Sequence, residues 1–161
     1  MKLYTLKRSQ RLPITIEEAW EFFSDPGNLS EITPPKLQLR VTSDLPDRTH
    51  QGMVISYRLQ PFRAIRVGWI TEITHVDAPR SFVDEQRFGP YRFWHHLHQF
   101  ETVDGGVEVR DIVNYGLPFG WIGRLARGLL VRRSLEQIFD FRADVLRARF
   151  GSITNALKVN E

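Results

Sequence analysis

Cysteine is absent from the 161-residue chain, which excludes disulfide bonds, thiolate zinc sites and a cysteine nucleophile. Long apolar runs are absent too. No segment approaches the roughly 20 apolar residues that span a bilayer, and residues 1–20 contain no continuous apolar stretch of signal-peptide length. Because nothing in the sequence requires an oxidising compartment or a membrane span, we expect a cytoplasmic protein.

A strong charge of one sign is also missing. The formal net charge is +3, but basic and acidic residues are mixed along most of the chain. The sequence has no aromatic and basic strand pattern of the RNA-binding kind, and no phosphate-binding loop or cofactor motif accompanies the candidate site described below. We therefore expect no nucleic-acid partner and no cofactor.

The remaining composition is typical of a folded domain. Hydrophobic residues make up 42% of the chain and charged residues 25%, which differs clearly from the composition of disordered chains. We predict a single domain over residues 1–151, followed by a tail of residues 152–161 that has no clear periodicity.

The N-terminal part changes from strand periodicity to helix periodicity. Residues 1–12 alternate as an edge strand and stop at a proline. Residues 14–25 follow helical spacing, with Thr15 as the N-cap. Residues 26–35 predict a second brief helix that begins after one proline and is ended by two more.

From Leu37 to Leu117 the hydrophobic period is two, which indicates about six strands separated by Pro, Asp and Gly clusters. Connections this short leave no room for crossover helices, so we expect an antiparallel sheet. The strand-like runs are LQLRVTS, GMVISYRL, RAIRVGWITEITHV, SFVDEQRF, YRFWHHLHQFET and GVEVRDIVNYGL.

A long amphipathic helix closes the chain. The segment LLVRRSLEQIFDFRADVLRARF has an apolar stripe at a spacing of about 3.6 residues, and Arg142 interrupts this stripe. The predicted fold is α+β: a curved antiparallel sheet of about seven strands, two short helices, and the long helix over the concave face. Such a sheet cannot close its centre tightly, so we expect a cavity between sheet and helix.

Arginine is frequent in the closing helix. The spacing predicts two ion pairs, Arg132 with Glu136 and Asp144 with Arg147, so a solvated helix face explains most of these charges. A contact with an anionic membrane surface or an acidic partner stays open as an alternative. The sequence does not indicate the oligomeric state.

Four segments carry a resemblance to a known family: NLSEITPP, WITEI, FVDEQRFGPYRFWHHLHQF and DIVNYGLPFG, in this order. They resemble the START-related helix-grip superfamily, also called SRPBCC. More narrowly, they resemble bacterial ligand-binding SRPBCC proteins, some described as cell-division-inhibitor-like, that have a GPYxxWxHxHxF strand. The resemblance covers Thr5 to about Arg149. It implies a helix-grip fold with a cavity for an apolar or amphipathic ligand, and it implies no particular reaction.

The stretch GPYRFWHHLHQF contains three histidines. Alternation along a strand places Trp94, His96, His98 and Phe100 on one face and His95 on the other. Two histidines, not three, therefore face the expected cavity.

The next strand supplies partners on one side. The register depends on the turn, because a three-residue loop would bring Arg110 and Ile112 to the histidine face. We favour a two-residue Asp104–Gly105 turn, since it keeps the family-matching residues of the last strand on that face. The resulting cross-strand pairs are His98 with Asp111, His96 with Val113, and Trp94 with Tyr115.

The preceding strand supplies partners on the other side. The turn around FGPY pairs Asp84 with His96 and Gln86 with Trp94, so each inward histidine has a carboxylate neighbour. Trp121 is added because it lies where the closing helix begins. The predicted ligand-binding residues are Trp69, Thr71, Asp84, Gln86, Trp94, His96, His98, Phe100, Asp111, Val113, Tyr115 and Trp121.

Buried carboxylates and imidazoles need partners, and the sequence leaves four explanations of this cluster open. It can be an internal network that fixes the sheet, or a polar anchor for an apolar ligand. It can act in general acid and base catalysis, with His96, His98, Asp111 and Asp84 as candidates. Lastly, His96, His98 and Asp111 resemble a set of metal ligands with two histidines and one carboxylate.

We favour the binding of a small, largely apolar or amphipathic molecule between the sheet and the closing helix, without a metal. The alternatives are a cyclase or dehydratase that uses a His and Asp pair, and a regulatory or membrane-associated interaction module.

Overall fold

The computed structural model describes residues 1–46, 48–62, 65–118 and 121–153, with side chains described at all of these except residues 61, 62 and 121–129. Two 3-10 turns, Pro26–Ser30 and Pro35–Leu37, join the first helix to the second strand. The strands are β1 (Leu3–Leu12), β2 (Arg40–Val41), β3 (Val54–Phe62), β4 (Ile65–Asp77), β5 (Ser81–Phe88), β6 (Phe93–Val103) and β7 (Gly106–Gly116), and the helices are α1 (Ile16–Ser24) and α2 (Trp121–Phe150).

The seven strands found in the described ranges form one antiparallel sheet in the order β1-β7-β6-β5-β4-β3-β2. Strand β1 lies at one edge, as its pattern predicts. Helix α2 packs against the concave face of the curved sheet and buries Leu135, Phe139 and Leu146. The α+β helix-grip fold expected from the sequence is confirmed.

The register expected at the histidine strand is also confirmed. Residues Asp104 and Gly105 form a two-residue turn between β6 and β7. On the other side of β6, strand β5 pairs with it in the expected register. The observed pairs are His98 with Asp111, His96 with Val113, Trp94 with Tyr115, Phe82 with His98, and Asp84 with His96.

The segment between α1 and β3 differs from the prediction. The second brief helix is replaced by the two 3-10 turns, because a proline before another proline is driven to extended backbone: Pro34 has ψ of 130°. The strand expected over residues 37–43 is reduced to Arg40–Val41. Its start is lost because Leu37 belongs to the second 3-10 turn, after which Gln38 adopts a left-handed conformation with φ of 46°.

Helix α1 begins as predicted. The Thr15 hydroxyl accepts a hydrogen bond from the Glu18 backbone N–H, and the Glu18 carboxylate accepts one from the Thr15 N–H in return. This capping box satisfies two backbone donors that the first turn of a helix leaves free. Beyond it, Ala19, Phe22 and Phe23 are buried against the sheet.

The polar face of α2 contains the two predicted ion pairs. Arg132 donates to Glu136 at 2.9 Å, and Arg147 donates to Asp144 at 2.9 Å. Part of the arginine charge is thus paired within the helix itself. Within the described residues, neither α1 nor α2 is long and apolar enough to cross a bilayer.

Candidate functional site

The candidate site lies where two apolar clusters meet. Along β6, Trp94 belongs to one cluster and Phe100 to the other, with His96 and His98 between them. Strand β7 repeats this order: Asp111 lies between Val109 of one cluster and Val113 of the other. Three polar side chains on adjacent strands therefore form one layer between two apolar regions.

Helix α2 has the same order of residues. Phe139 belongs to the cluster around Trp94, Leu146 belongs to the cluster around Phe100, and Arg142 lies between them. The interruption of the apolar stripe at Arg142 thus coincides with the polar layer of the sheet. The helix and the sheet contribute charged groups at the same level.

Each histidine of this layer lies between the same two carboxylates. His96 Nδ1 is 3.1 Å from Asp84 Oδ2, and His96 Nε2 is 3.0 Å from Asp111 Oδ1. His98 Nε2 is 2.9 Å from Asp84 Oδ2, and His98 Nδ1 is 3.1 Å from Asp111 Oδ1. The ring centroids of the two histidines are 3.8 Å apart and the rings are tilted by 37°, so the imidazoles lie side by side with one aspartate at each edge.

The four contacts between histidine nitrogens and aspartate oxygens differ in how well they are aligned for a hydrogen bond. The bonds from His96 Nε2 to Asp111 and from His98 Nε2 to Asp84 have hydrogen-bond geometry. His98 Nδ1 lies close to Asp111 but is badly aligned with it, and it is one of the buried polar atoms in the described ranges that make no hydrogen bond. One ring nitrogen of the cluster, His98 Nδ1, is therefore still available as a hydrogen-bond donor or acceptor.

Two further groups hold the carboxylates from outside. The Trp94 Nε1–H donates to Asp84 Oδ1 at 3.1 Å, and Arg142 Nη1 donates to Asp111 Oδ1 at 3.2 Å. Phe82 stacks on the His98 ring with centroids 4.1 Å apart. These contacts fix the positions of the carboxylates and of one imidazole before any ligand arrives.

Burial makes the charges in this cluster interdependent. Burial disfavours the charged form of His96, but Asp84 and Asp111 outweigh it and raise the pKa of His96 to about 9. Burial likewise disfavours the ionised aspartates. Contacts with His96 and His98 nevertheless hold the pKa of Asp84 well below its usual value, and Arg142 with both histidines does the same for the pKa of Asp111. The charges of the two carboxylates are thus balanced by His96 and Arg142.

A cavity of about 220 Å³ adjoins the polar layer. Its walls are mostly apolar and come from the sheet, from α1, from the 3-10 turns and from α2. At one wall, Asp84, His96, His98 and Arg142 reach its surface. An apolar cavity with a few convergent polar groups is typical of small-molecule binding sites.

Six of the predicted ligand-binding residues line this cavity: Trp69, Thr71, Asp84, Trp94, His96 and His98. The Trp69 Nε1–H donates to the Thr71 hydroxyl at 2.9 Å, which orients both side chains. The predicted residues that line the cavity therefore all lie on β4, β5 and β6.

Five other predicted residues do not line the cavity within the described ranges. Asp111 lies behind the histidines. Phe100, Val113 and Tyr115 are buried in the two apolar clusters. The Gln86 amide donates to the Tyr91 carbonyl at 2.6 Å and holds the turn between β5 and β6. Alternation predicts the face of a strand correctly but not how far along it the cavity extends, and the side chain of Trp121 lies outside the described residues.

Most of the residues that line the cavity were missed at the sequence level, among them two with polar groups, Arg142 and Tyr57. Arg142 was recognised as an interruption of the helical stripe, but its partner Asp111 could be found only from the way α2 crosses the sheet. Tyr57 also lines the cavity. Burial, and secondarily the charge of Asp84, raises the pKa of Tyr57 above its usual value, so its hydroxyl keeps its proton and can donate to a ligand.

The cluster also contains a candidate set of metal ligands. Asp84, His96 and His98 each offer one atom, and these atoms lie within 4.8 Å of one another. The carboxylate of this set is Asp84, whereas the sequence pointed to Asp111. Asp111 contacts the same two histidines, but it is also paired with Arg142 and does not line the cavity.

No family model matches the chain. No curated protein matches it either. Solved structures do: a protein from Thermus thermophilus has a TM-score of 0.67 at 16% identity, over 91% of this chain and 99% of that one. Major latex-like protein 151 of Panax ginseng has a TM-score of 0.66 at 13% identity, over 92% and 97%. Ara h 8.0201 has a TM-score of 0.63 at 13% identity, over 91% and 99%.

These similarities extend over almost the whole of each chain, so they concern the complete fold and not one shared motif. At 13–16% identity they establish the helix-grip fold and leave the chemistry of the site to the residues themselves. The resemblance noted in the sequence is therefore confirmed at the level of the fold.

Proposed function

We propose that the protein binds a small, largely apolar molecule in the cavity between the sheet and α2, with the polar end of the molecule at the histidine and aspartate layer. The observation that carries this proposal is the cavity itself: mostly apolar walls, with Asp84, His96, His98 and Arg142 at one side. The helix-grip fold and the resemblance of the GPYRFWHHLHQF strand to ligand-binding SRPBCC proteins support it.

The cavity limits the size of the ligand. Its volume of about 220 Å³ is below the roughly 300–1,000 Å³ that drug-sized ligands occupy. The ligand, or the part of it that is buried, is therefore small. Trp69, Trp94 and Ile55 offer apolar contacts, and Tyr57 and Thr71 offer hydroxyl groups near the polar wall.

The route into the cavity runs beside the 3-10 turns. Asn28, Leu29 and Thr33 line the cavity and are partly exposed to solvent. Short 3-10 turns make few regular hydrogen bonds and are more easily displaced than strands. We infer that a ligand enters between this segment and the sheet.

Native mass spectrometry of the purified full chain tests the proposal directly, with a co-purified small molecule as the expected result. Binding of a fluorescent apolar probe provides a titration. Leu29→Trp, which fills the cavity from its partly exposed side, should weaken probe binding by about tenfold or more. Leu45→Trp is the matched control, because Leu45 is exposed in a loop and does not line the cavity.

Two results would contradict ligand binding in this cavity. One is that the purified protein carries no small molecule and gives no saturable probe signal. The other is that Leu29→Trp and Leu45→Trp bind the probe as strongly as the unmodified chain.

A second candidate function is enzymatic, and one observation favours it. His96 Nε2 is backed by Asp111 at 3.0 Å while the same ring reaches the cavity. A carboxylate that orients an imidazole supports general acid and base chemistry, such as a dehydration or a cyclisation of a polyketide-like substrate. If His96→Asn removes turnover of such a substrate but not its binding, the enzyme proposal holds. Equal substrate decay with and without the protein would remove it.

A further inference from the structure

The two edges of the histidine pair face different surroundings. At one edge, His96 Nδ1 and His98 Nε2 converge on Asp84 Oδ2, at 3.1 and 2.9 Å, and these three residues line the cavity. At the other edge, the remaining nitrogens face Asp111, which lies behind them and is paired with Arg142. The carboxylate of the first edge lines the cavity, whereas the carboxylate of the second edge does not.

We propose that Asp84 Oδ2, His96 Nδ1 and His98 Nε2 bind one divalent transition-metal ion of the Zn²⁺ or Fe²⁺ class, with its remaining coordination positions turned toward the cavity. The proposal is independent of the identity of the apolar ligand. It concerns the Asp84 edge of the cluster, where an ion that displaces the extra proton of His96 meets a ligand set of two imidazole nitrogens and one carboxylate.

The spacing of the three atoms fits such an ion. Metal bonds of about 2.1 Å at right angles place adjacent ligand atoms about 3.0 Å apart. The distances from Asp84 Oδ2 to the two nitrogens are 2.9 and 3.1 Å, and the three ligand atoms lie within 4.8 Å of one another. A metal ion would replace the contacts that His96 Nδ1 and His98 Nε2 now make with Asp84 Oδ2, using side chains that already lie together.

The opposite edge supplies what a metal-binding histidine requires on its second nitrogen. A histidine that binds a metal usually donates its other N–H to a carboxylate, which fixes the tautomer and the ring orientation. Asp111 Oδ1 is 3.0 Å from His96 Nε2 and 3.1 Å from His98 Nδ1, so a single carboxylate can accept from both rings. The unpaired His98 Nδ1 then gains its partner by a small rotation of the ring.

The surrounding hydrogen-bond donors give the two carboxylates different roles. The Arg142 guanidinium, at 3.2 Å, balances the charge of Asp111 and holds it behind the rings. The Trp94 Nε1–H binds Asp84 Oδ1 and leaves Oδ2 directed at the histidines. Asp84 is thus oriented as the metal ligand, and Asp111 as the carboxylate that positions the histidines.

The experiment uses the full chain after chelator treatment and dialysis, titrated with Zn²⁺ in a calorimeter and with Co²⁺ by visible absorption. The expected result is saturation at one ion per chain, Co²⁺ bands typical of nitrogen and oxygen ligands, and a higher Tm with Zn²⁺ than without it. Mg²⁺ should neither saturate nor raise the Tm, because it prefers oxygen ligands.

Variants locate the site. Asp84→Asn and His98→Gln should abolish the Co²⁺ bands, whereas Asp111→Asn should keep them with an affinity about 10–100-fold weaker. His75→Gln is the matched control, since His75 is exposed on β4 and should change nothing. Circular dichroism checks that each variant is folded.

Three results would overturn the proposal: no saturable uptake of Zn²⁺ or Co²⁺ by the unmodified chain, uptake that raises no Tm, or uptake that survives both Asp84→Asn and His98→Gln in folded protein. The Tm of the unmodified chain carries the test even if a variant does not fold. Probe binding in the presence of chelator tests the cavity separately, so the failure of the metal site and of ligand binding can be told apart.

Discussion

Arg142 of helix α2 donates a hydrogen bond of 3.2 Å to Asp111 of β7, and both side chains are at most 10% exposed. The guanidinium also lies over the rings of Phe23 and Phe139, at 5.1 and 5.7 Å from their centroids. One buried charge therefore connects the closing helix to the strand behind the histidines and to aromatic groups on either side. The pair fixes the level at which the helix crosses the sheet.

Removing Arg142 should destabilise the protein strongly. Arg142→Met is expected to lower the free energy of unfolding by about 3–5 kcal/mol, because it leaves the buried Asp111 carboxylate without its cationic partner. Urea unfolding measures this change. Arg147→Met is the control: its pair with Asp144 is exposed, so the loss should stay below about 1 kcal/mol. Equal losses in the two variants would contradict a structural role for the Arg142 pair.

The metal-free protein should have its greatest stability in mildly acidic solution. The pKa of His96 is raised from 6.5 to about 9, so its stabilising contribution is complete below pH 6.5 and is lost as the pH rises through about 9. The pKa values of Asp84 and Asp111 lie below the ordinary 3.8, so their contribution is present above pH 3.8 and is lost as the pH falls further. Thermal unfolding in the presence of a chelator should therefore show a Tm that falls on both sides of this range.

His96→Asn identifies the source of the alkaline loss. In this variant the Tm should change less between pH 6.5 and about 9 than it does in the unmodified chain, where His96 loses its proton. If both proteins lose the same Tm over that interval, the alkaline effect belongs to other groups.

The packing of β1 against the start of β7 depends on Gly106. A Cβ atom at this position would clash with the backbone oxygen of Leu12, at the end of β1. Gly106→Ala must therefore displace the edge strand, and we expect a loss of about 3 kcal/mol in urea unfolding.

Gly105→Ala, in the turn just before Gly106, is the comparison. Gly105 has a φ of 81°, and the nearest atom to an added Cβ, on Ile153, lies 3.9 Å away. Its substitution should cost about 1–2 kcal/mol from the backbone conformation alone. A larger loss at Gly105 than at Gly106 would show that the contact with Leu12 is not the limiting one.

The N–H of the Trp94 indole should contribute more to the free energy of unfolding than the N–H of the neighbouring Trp69 indole. Trp94 donates to the Asp84 carboxylate, whereas Trp69 donates to the neutral Thr71 hydroxyl. Trp94→Phe is expected to cost about 1.5–3 kcal/mol and Trp69→Phe about 0.5–1.5 kcal/mol, because bonds to charged groups contribute more. Unfolding measurements on both variants compare them directly, and the reverse order would argue against an ionised Asp84.

The histidine strand was predictable because its structure follows local rules. Period two separates His95 from His96 and His98, and the short Asp104–Gly105 turn leaves one register in which Asp111 faces a histidine. Each of these steps uses residues that are close in sequence or joined by a tight turn. For the same reason Thr15 was recognisable as the N-cap of α1.

Contacts between elements that are distant in the sequence could not be predicted from local patterns. The Arg142 partner depends on the position of α2 over the sheet, which no local pattern contains. The shortening of the predicted second strand depends on the left-handed Gln38, which follows a 3-10 turn that begins at a proline. The extent of the cavity along each strand, which leaves Phe100 and Tyr115 in the apolar clusters, is likewise a result of packing.

The cavity is built from two kinds of backbone. The imidazoles and the carboxylate of its polar wall belong to β5 and β6, whose hydrogen bonds to neighbouring strands make them rigid, while residues of the 3-10 turns such as Leu29 and Leu37 also line it. Substitutions in the turns can change the size and shape of the accepted molecule without moving a single atom of the imidazole and carboxylate layer. The shape of the cavity and the polar layer at its wall can therefore be engineered, and can evolve, as separate traits.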